Sequence, residues 1–205
     1  MRRVDLMAIA EPACLKDQRE SGNNWYNLPG TCKSQVRERL GHIQEHFCIY
    51  CERPLVAEEM HVEHLRSQSA HDGNTLDWGN LSLSCNSLRS CGQHKDRQVL
   101  PILPQHFPTD YPYFTRPDGT LVARQAAVHW EELLQVVDLN GELTGDRNLK
   151  SQRSGYFDAL LEALLLDPPL ERQQAQAVCR DYWKQRGLPT TAFSVFEAVY
   201  PVQGH

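Results

Sequence analysis

No run in the 205-residue sequence comes near the ~18 consecutive apolar residues that a membrane-spanning helix requires. The opening stretch MRRVDLMAIAEPAC carries basic residues, but its apolar part is too short for a secretion signal. A soluble, cytoplasmic protein with no membrane partner is expected. Positive charge is not in surplus either: 21 Lys and Arg stand against 26 Asp and Glu, a net charge of -5. That balance excludes the bulk basic field by which a chain gathers nucleic acid unaided. A polyanion would have to meet a local basic groove or be brought by a partner protein. Internal repeats and low-complexity tracts are absent, which excludes solenoids and interaction tails. The length suits one compact domain, or a small domain wrapped in a helical one, but not two large domains.

Cysteine, in contrast, is plentiful, with seven residues. In a reducing compartment these are expected as thiols or metal ligands rather than disulfides. CIYCE supplies Cys48 and Cys51, the tight turn that offers two thiolates to one ion. CNSLRSCGQHKD supplies Cys85 and Cys91, whose wider spacing needs a looped knuckle. Two pairs parted by 33 residues fit a closed, structural Zn²⁺ site, since so small a segment cannot bury enough apolar area by itself. The plain alternative is four unrelated buried thiols. Cys14, Cys32 and Cys179 are expected to be ordinary core cysteines.

The chain divides into three parts by pattern. Residues 1–47 are expected to be helical, with Val36, Leu40, Ile43 and Phe47 on one apolar face running directly into the first cysteine pair. Residues 48–100 change character: MHVEHL and NLSLSC read as short strands, separated by polar turns that include HDGN. Residues 101–205 begin with the hairpin YFTRPDGTLVA, turned by Asp118-Gly119. Amphipathic helices follow in AAVHWEELLQVVDL, SGYFDALLEALLL and LERQQAQAVCRDYWKQRG, punctuated by Pro168, Pro169, Gly187 and Pro189. Their apolar stripes serve either internal packing or the docking of a partner. The tryptophans at 25, 78, 130 and 183 are expected in the core.

Chemistry concentrates between the knuckles, in Glu63-His64, in Trp78-Gly79-Asn80-Leu81 and in the closing Gly92-Gln93-His94-Lys95. Phosphodiester hydrolysis needs a base for water, a divalent cation for the phosphate oxygens, and a group that fixes the base. A zinc-stapled ββα unit supplies all three when a strand ends in a carboxylate-histidine pair, a loop asparagine holds the strand backbone, and a helix follows. Neighbouring strand residues point to opposite faces, so Glu63-His64 carries this meaning only at a strand-to-loop boundary. LRSQSAHDGN, directly after it, indicates that boundary.

EHL, WGNLSLSC and CGQHK resemble the HNH endonuclease motif flanked by zinc knuckles. RRVDLMAIAEP, KSQVRERLGHIQEHFCIYCE and VVDLNGELTGDR extend the resemblance over most of the chain, to the PtuB-like HNH proteins of Septu-type and retron-linked anti-phage systems. The resemblance implies an α+β protein, a zinc-stapled ββα-metal nuclease core embedded in a mainly helical frame. It further implies a Mg²⁺- or Mn²⁺-dependent endonuclease, with His64 as general base and Asn80 as the motif asparagine. Its implied partner is a PtuA-like ATPase, with a retron reverse transcriptase and its msDNA as further company.

One position departs from that pattern. The last histidine or asparagine of the motif belongs directly after the final knuckle cysteine, and Gly92 stands there. Glu63 and His94 are then expected to hold the catalytic ion, although two residues of helix turn a side chain by roughly 200°. Asn86 and His61 are weaker alternatives. Lys95, Arg66 and Arg89 are the expected phosphate contacts, against the simpler role of solvated surface charges. The rival class is a non-catalytic zinc module that docks nucleic acid or an ATPase, and Gly92 is the residue that favours it.

Overall fold

The computed structural model describes residues 3–68, 75–108, 111–124, 128–165 and 170–201. The HDGN loop and Pro168-Pro169 lie outside them. The architecture is α+β, as expected: small antiparallel sheets set among helices.

Helices α1 (Ala13–Glu20) and α2 (Gly30–Ile43) begin the chain. Cys14 on α1 and Cys32 on α2 are joined in a disulfide, their Cα atoms 5.9 Å apart. This corrects the expectation of free core thiols. Adjacent helices bring together two positions whose pairing no spacing rule reveals. Cys179 is free and buried, as expected.

Helix α2 also stops sooner than its apolar period suggests. Gln44 closes it through N–H to Leu40 O, and Glu45 and His46 take left-handed backbone conformations that turn Phe47 off the helix axis. The Gln44 side chain, 1% exposed, then donates to the carbonyls of Phe47 and Leu83 and accepts from the Leu83 N–H. A helix end is thereby fastened to the middle of a strand.

That strand, β2 (Leu81–Cys85), is buried along its whole length. It pairs antiparallel with β1 (Met60–His64), in register Met60 with Cys85 and His64 with Leu81. Helix α3 (Cys91–Lys95) packs on β2 and completes a ββα unit. The hairpin forms as expected, from β3 (Tyr113–Thr115) and β4 (Leu121–Ala123), with Gly119 at φ +82°. Only glycine fits there, since a Cβ would fall 1.9 Å from the Lys150 carbonyl. That carbonyl lies on the third helical residue of α5, and the buried Arg153 one turn on donates to the Gly119 and Leu139 carbonyls.

Helices α4 (Val128–Val136), α5 (Asn148–Leu164), α6 (Arg172–Arg186) and α7 (Pro189–Val199) follow. The stripes of α5, α6 and α7 meet one another around Phe157, Leu160, Cys179, Val195 and Phe196, so much of their apolar surface is used in packing. The frame is tied to the first knuckle through Glu52, directly after Cys51. Its carboxylate, 4% exposed, accepts from the Thr190 N–H at 3.0 Å and the Thr190 hydroxyl at 2.8 Å, and its carbonyl accepts from the Leu188 N–H.

Replacing Glu52 by Ala leaves two buried donors of Thr190 without this acceptor. We expect a loss of about 1–3 kcal/mol in stability. Urea unfolding of the variant beside the wild type measures it; an unchanged midpoint would show that the helical frame does not depend on this link.

Candidate active site

The two cysteine pairs converge. The sulfurs of Cys48, Cys51, Cys85 and Cys91 lie within 4.8 Å of one another, and all four residues are buried. Cys51 Sγ and Cys85 Sγ are 3.8 Å apart, which matches the edge of a tetrahedron with Zn–S bonds of about 2.3 Å. Four thiols this close and this buried can all ionise only around a compensating cation. The donor set therefore fits a structural zinc ion. Cys91 reaches the cluster with φ +62°, its N–H donating to Val137 O, and this strained residue is the looped knuckle that the wide spacing demands. An Arg53 nitrogen lies 3.5 Å from Cys85 Sγ and adds positive charge beside the sulfurs.

Strand β1 ends at His64, so Glu63-His64 does occupy the strand-to-loop boundary. Asn80 holds that boundary: its Oδ1 accepts from the Arg66 N–H at 2.8 Å and its Nδ2 donates to the Arg66 carbonyl at 3.1 Å. Its own carbonyl accepts from the Leu65 N–H. Asp77 caps the short turn carrying Asn80, accepting from the Gly79 N–H. The backbone after the histidine is thus pinned from both ends of one side-chain amide.

His64 opens onto a cleft of about 870 Å³ that is also lined by His61, Glu63, Gly92, Asp96 and Arg97. Its Nε2 lies 2.9 Å from the Thr75 carbonyl. A carbonyl only accepts, so Nε2 carries the proton and Nδ1 keeps its lone pair. The Gln68 amide nitrogen is 3.2 Å from Nδ1, and Trp25 meets the ring edge-on with centroids 5.7 Å apart. Imidazole orientation and tautomer are both set before any substrate arrives.

Glu63 is 6% exposed. Its Oε1 accepts from the Tyr50 hydroxyl at 3.1 Å and pairs with Lys95 Nζ at 3.1 Å, while Oε2 faces His61 Nε2 at 3.3 Å. Burial alone would push this carboxyl up, but contacts with His61 and Lys95 hold it below the usual carboxylate range. It is an anion at neutral pH. Burial and the Glu63 charge push the Tyr50 phenol well up, so Tyr50 remains a donor.

Other expected residues fall elsewhere. Lys95, expected as a phosphate contact, is instead 1% exposed: α3 packs it inward and its charge meets Glu63 and the Asp96 carbonyl. His94 is not on the cleft wall. The helix presents Gly92 to Glu63 and turns His94 away, leaving His94 Nε2 buried without a hydrogen-bond partner among the described residues. Arg66 and Arg89 are exposed but outside the cleft lining. Trp78 and Trp130 are core residues as expected, whereas Trp25 walls the His64 ring. Sequence reasoning missed Tyr50, Thr75 and Gln68, which act through the fold and carry no spacing signal. Arg97, the basic residue that does face the cleft, is isolated in sequence.

The segment that carries the four-cysteine cluster and the clamped carboxylate-histidine pair has sequence counterparts among known proteins. Residues 48–98 match the HNH endonuclease family model. The chain is also 32% identical over 100 residues to the candidate HNH endonuclease of retron Vc95 from Vibrio cholerae serotype O1 biovar El Tor, covering 42% of this chain and 49% of that protein. The chain thus spans about half the length of the curated relative it matches. HNH similarity rests on the segment that carries the cluster, the strand pair and α3.

Purified protein should carry one zinc per chain by elemental analysis. Cys85→Ser should lose the metal and unfold the ββα unit, since structural zinc contributes on the order of 10–16 kcal/mol in small peptides. A folded, metal-free wild type would contradict this assignment.

Proposed function

We propose that this chain is a metal-dependent HNH endonuclease, cutting DNA or structured RNA such as tRNA as the effector of a retron-linked, PtuB-like anti-phage complex. The observation that supports the reading is the Asn80 clamp on Arg66, just beyond the end of β1, beside a His64 that borders the cleft and whose Nε2 is engaged by the Thr75 carbonyl. In this reading His64 accepts a proton from water through Nδ1, once that water replaces the Gln68 contact. Thr75 then stabilises the imidazolium through its carbonyl. Glu63, oriented by Tyr50 and Lys95, offers Oε2 to a Mg²⁺ or Mn²⁺ ion. Such an ion supplies positive charge to the phosphate and the departing 3′ oxygen. The base acts on water and not on a sugar hydroxyl, so the chemistry admits both DNA and RNA.

Substrate capture is proposed to come from a partner. The segment from His61 to Leu100 has four basic residues, Arg66, Arg89, Lys95 and Arg97, against four acidic ones, Glu63, Asp72, Asp77 and Asp96. Lys95 is already neutralised by Glu63. Too little free positive charge remains for tight, salt-resistant binding to phosphates. A PtuA-like ATPase, together with a reverse transcriptase and its msDNA, fits the gap, and the retron name of the Vibrio relative supports that setting.

His64→Ala should lower the Mg²⁺-dependent cleavage rate by on the order of 10²–10⁴-fold while zinc content stays intact. A folded variant that cuts at the wild-type rate excludes His64 as the base, and a wild type that never nicks plasmid or tRNA, even with its partner, favours the non-catalytic zinc module. For recruitment, the isolated chain should bind DNA or RNA only weakly near physiological salt and gain affinity in complex with the ATPase. Sub-micromolar binding and full-rate cleavage by the chain alone would rule recruitment out.

A further inference from the structure

We propose that His61 is the second side-chain ligand of the catalytic divalent ion, so that β1 alone supplies both ligands and the helix supplies none. The inference rests on the nuclease reading and deepens it. Alternation along β1 places His61 and Glu63 on one face. The Asn86 amide sets the His61 ring: its Nδ2 donates to the Glu58 carbonyl at 3.4 Å, which leaves Oδ1 facing His61 Nδ1 at 2.9 Å. Nδ1 therefore carries a hydrogen, and Nε2, 3.3 Å from Glu63 Oε2, donates to it when the ring is protonated and is open to an ion when the ring is neutral. Metal-binding histidines are commonly held in this way, with the far nitrogen donating to an oxygen. Glu63 Oε1 is engaged by Tyr50 and Lys95, so Oε2 is the oxygen left for an ion. With His61 neutral, a divalent ion between these two atoms would take the place of the histidine proton that otherwise pairs them. Adjacent ligands of a six-coordinate ion with bonds of about 2.1 Å lie about 3 Å apart.

Gly92 supplies the independent observation. A Cβ at this position would stand 2.5 Å from Glu63 Oε2 and 2.8 Å from His61 Nε2. A side chain at 92 would therefore press on both β1 groups, Glu63 first and His61 next. Glycine is not a missing ligand in this arrangement; it leaves room for the facing Glu63 and His61 side chains. The rival is a purely structural ion pair of protonated His61 with Glu63.

Mn²⁺ binding by the zinc-loaded 205-residue chain separates the two, read by isothermal titration or by loss of the free Mn²⁺ electron-spin signal. His61→Phe keeps the ring shape and removes the ligand. Its Mn²⁺ affinity should fall at least ~10-fold with one zinc retained, while His94→Ala binds like the wild type. His61→Ala should weaken Mn²⁺ binding likewise, and this second variant keeps the test decisive if His61→Phe folds poorly. Binding that Glu63→Ala weakens and neither His61 variant alters would overturn the inference and leave the nuclease reading standing. A wild type that takes up no Mn²⁺ would overturn both.

Discussion

Four buried thiols drawn from two distant segments set the geometry on which everything else rests. Tyr50 lies between Cys48 and Cys51, inside the first knuckle, and its hydroxyl reaches Glu63. Ser84, beside Cys85, accepts from the Gly92 N–H and so fixes the start of α3. Glu52, following Cys51, receives the first turn of α7. Carboxylate, helix and frame are each located by a residue adjacent to a cluster cysteine or one position removed. An ion at the cluster would therefore hold the reactive groups in register, beyond adding folding energy to a unit with few residues of its own.

The candidate site is made almost entirely from groups that hold one another. Thr75 and Gln68 orient His64, Tyr50 and Lys95 orient Glu63, and Asn80 orients the backbone beyond them. Such mutual constraint lowers the reorganisation needed when charge develops in a transition state. It also explains why a buried lysine is tolerated. The amine meets a carboxylate and a carbonyl, so its charge is paired where it is buried.

The zinc pairs, the strand pair, the hairpin and the helical frame were legible because each has a local signature: CxxC, alternation, Asp-Gly, a helical period. Asn80 was legible through its motif company. The placement of His94 off the cleft wall and of Lys95 inward has a common reason. Sequence fixes that they lie on a short helix, but the rotation of that helix is set by Gly92 packing against Glu63, a contact between residues 29 positions apart. The early end of α2 was invisible for similar reasons, because Gln44 leaves the helix to bond Leu83 across the fold. Its apolar period continues through Phe47 only because Phe47 is buried by another route. The Cys14–Cys32 bridge depends on how two helices lie together, which no single segment encodes.

The region of family similarity ends at residue 98, but the folding unit does not. Cys91 donates its N–H to Val137, and Phe107, Tyr113, Trp130 and Leu133 belong to the same apolar cluster as Cys48 and Tyr50. Excised at its sequence boundary, the segment would face water with the surface that now rests on α4 and the hairpin. In this chain the matched segment is therefore bound to the scaffold behind it, and the border of similarity and the border of cooperativity run through different residues.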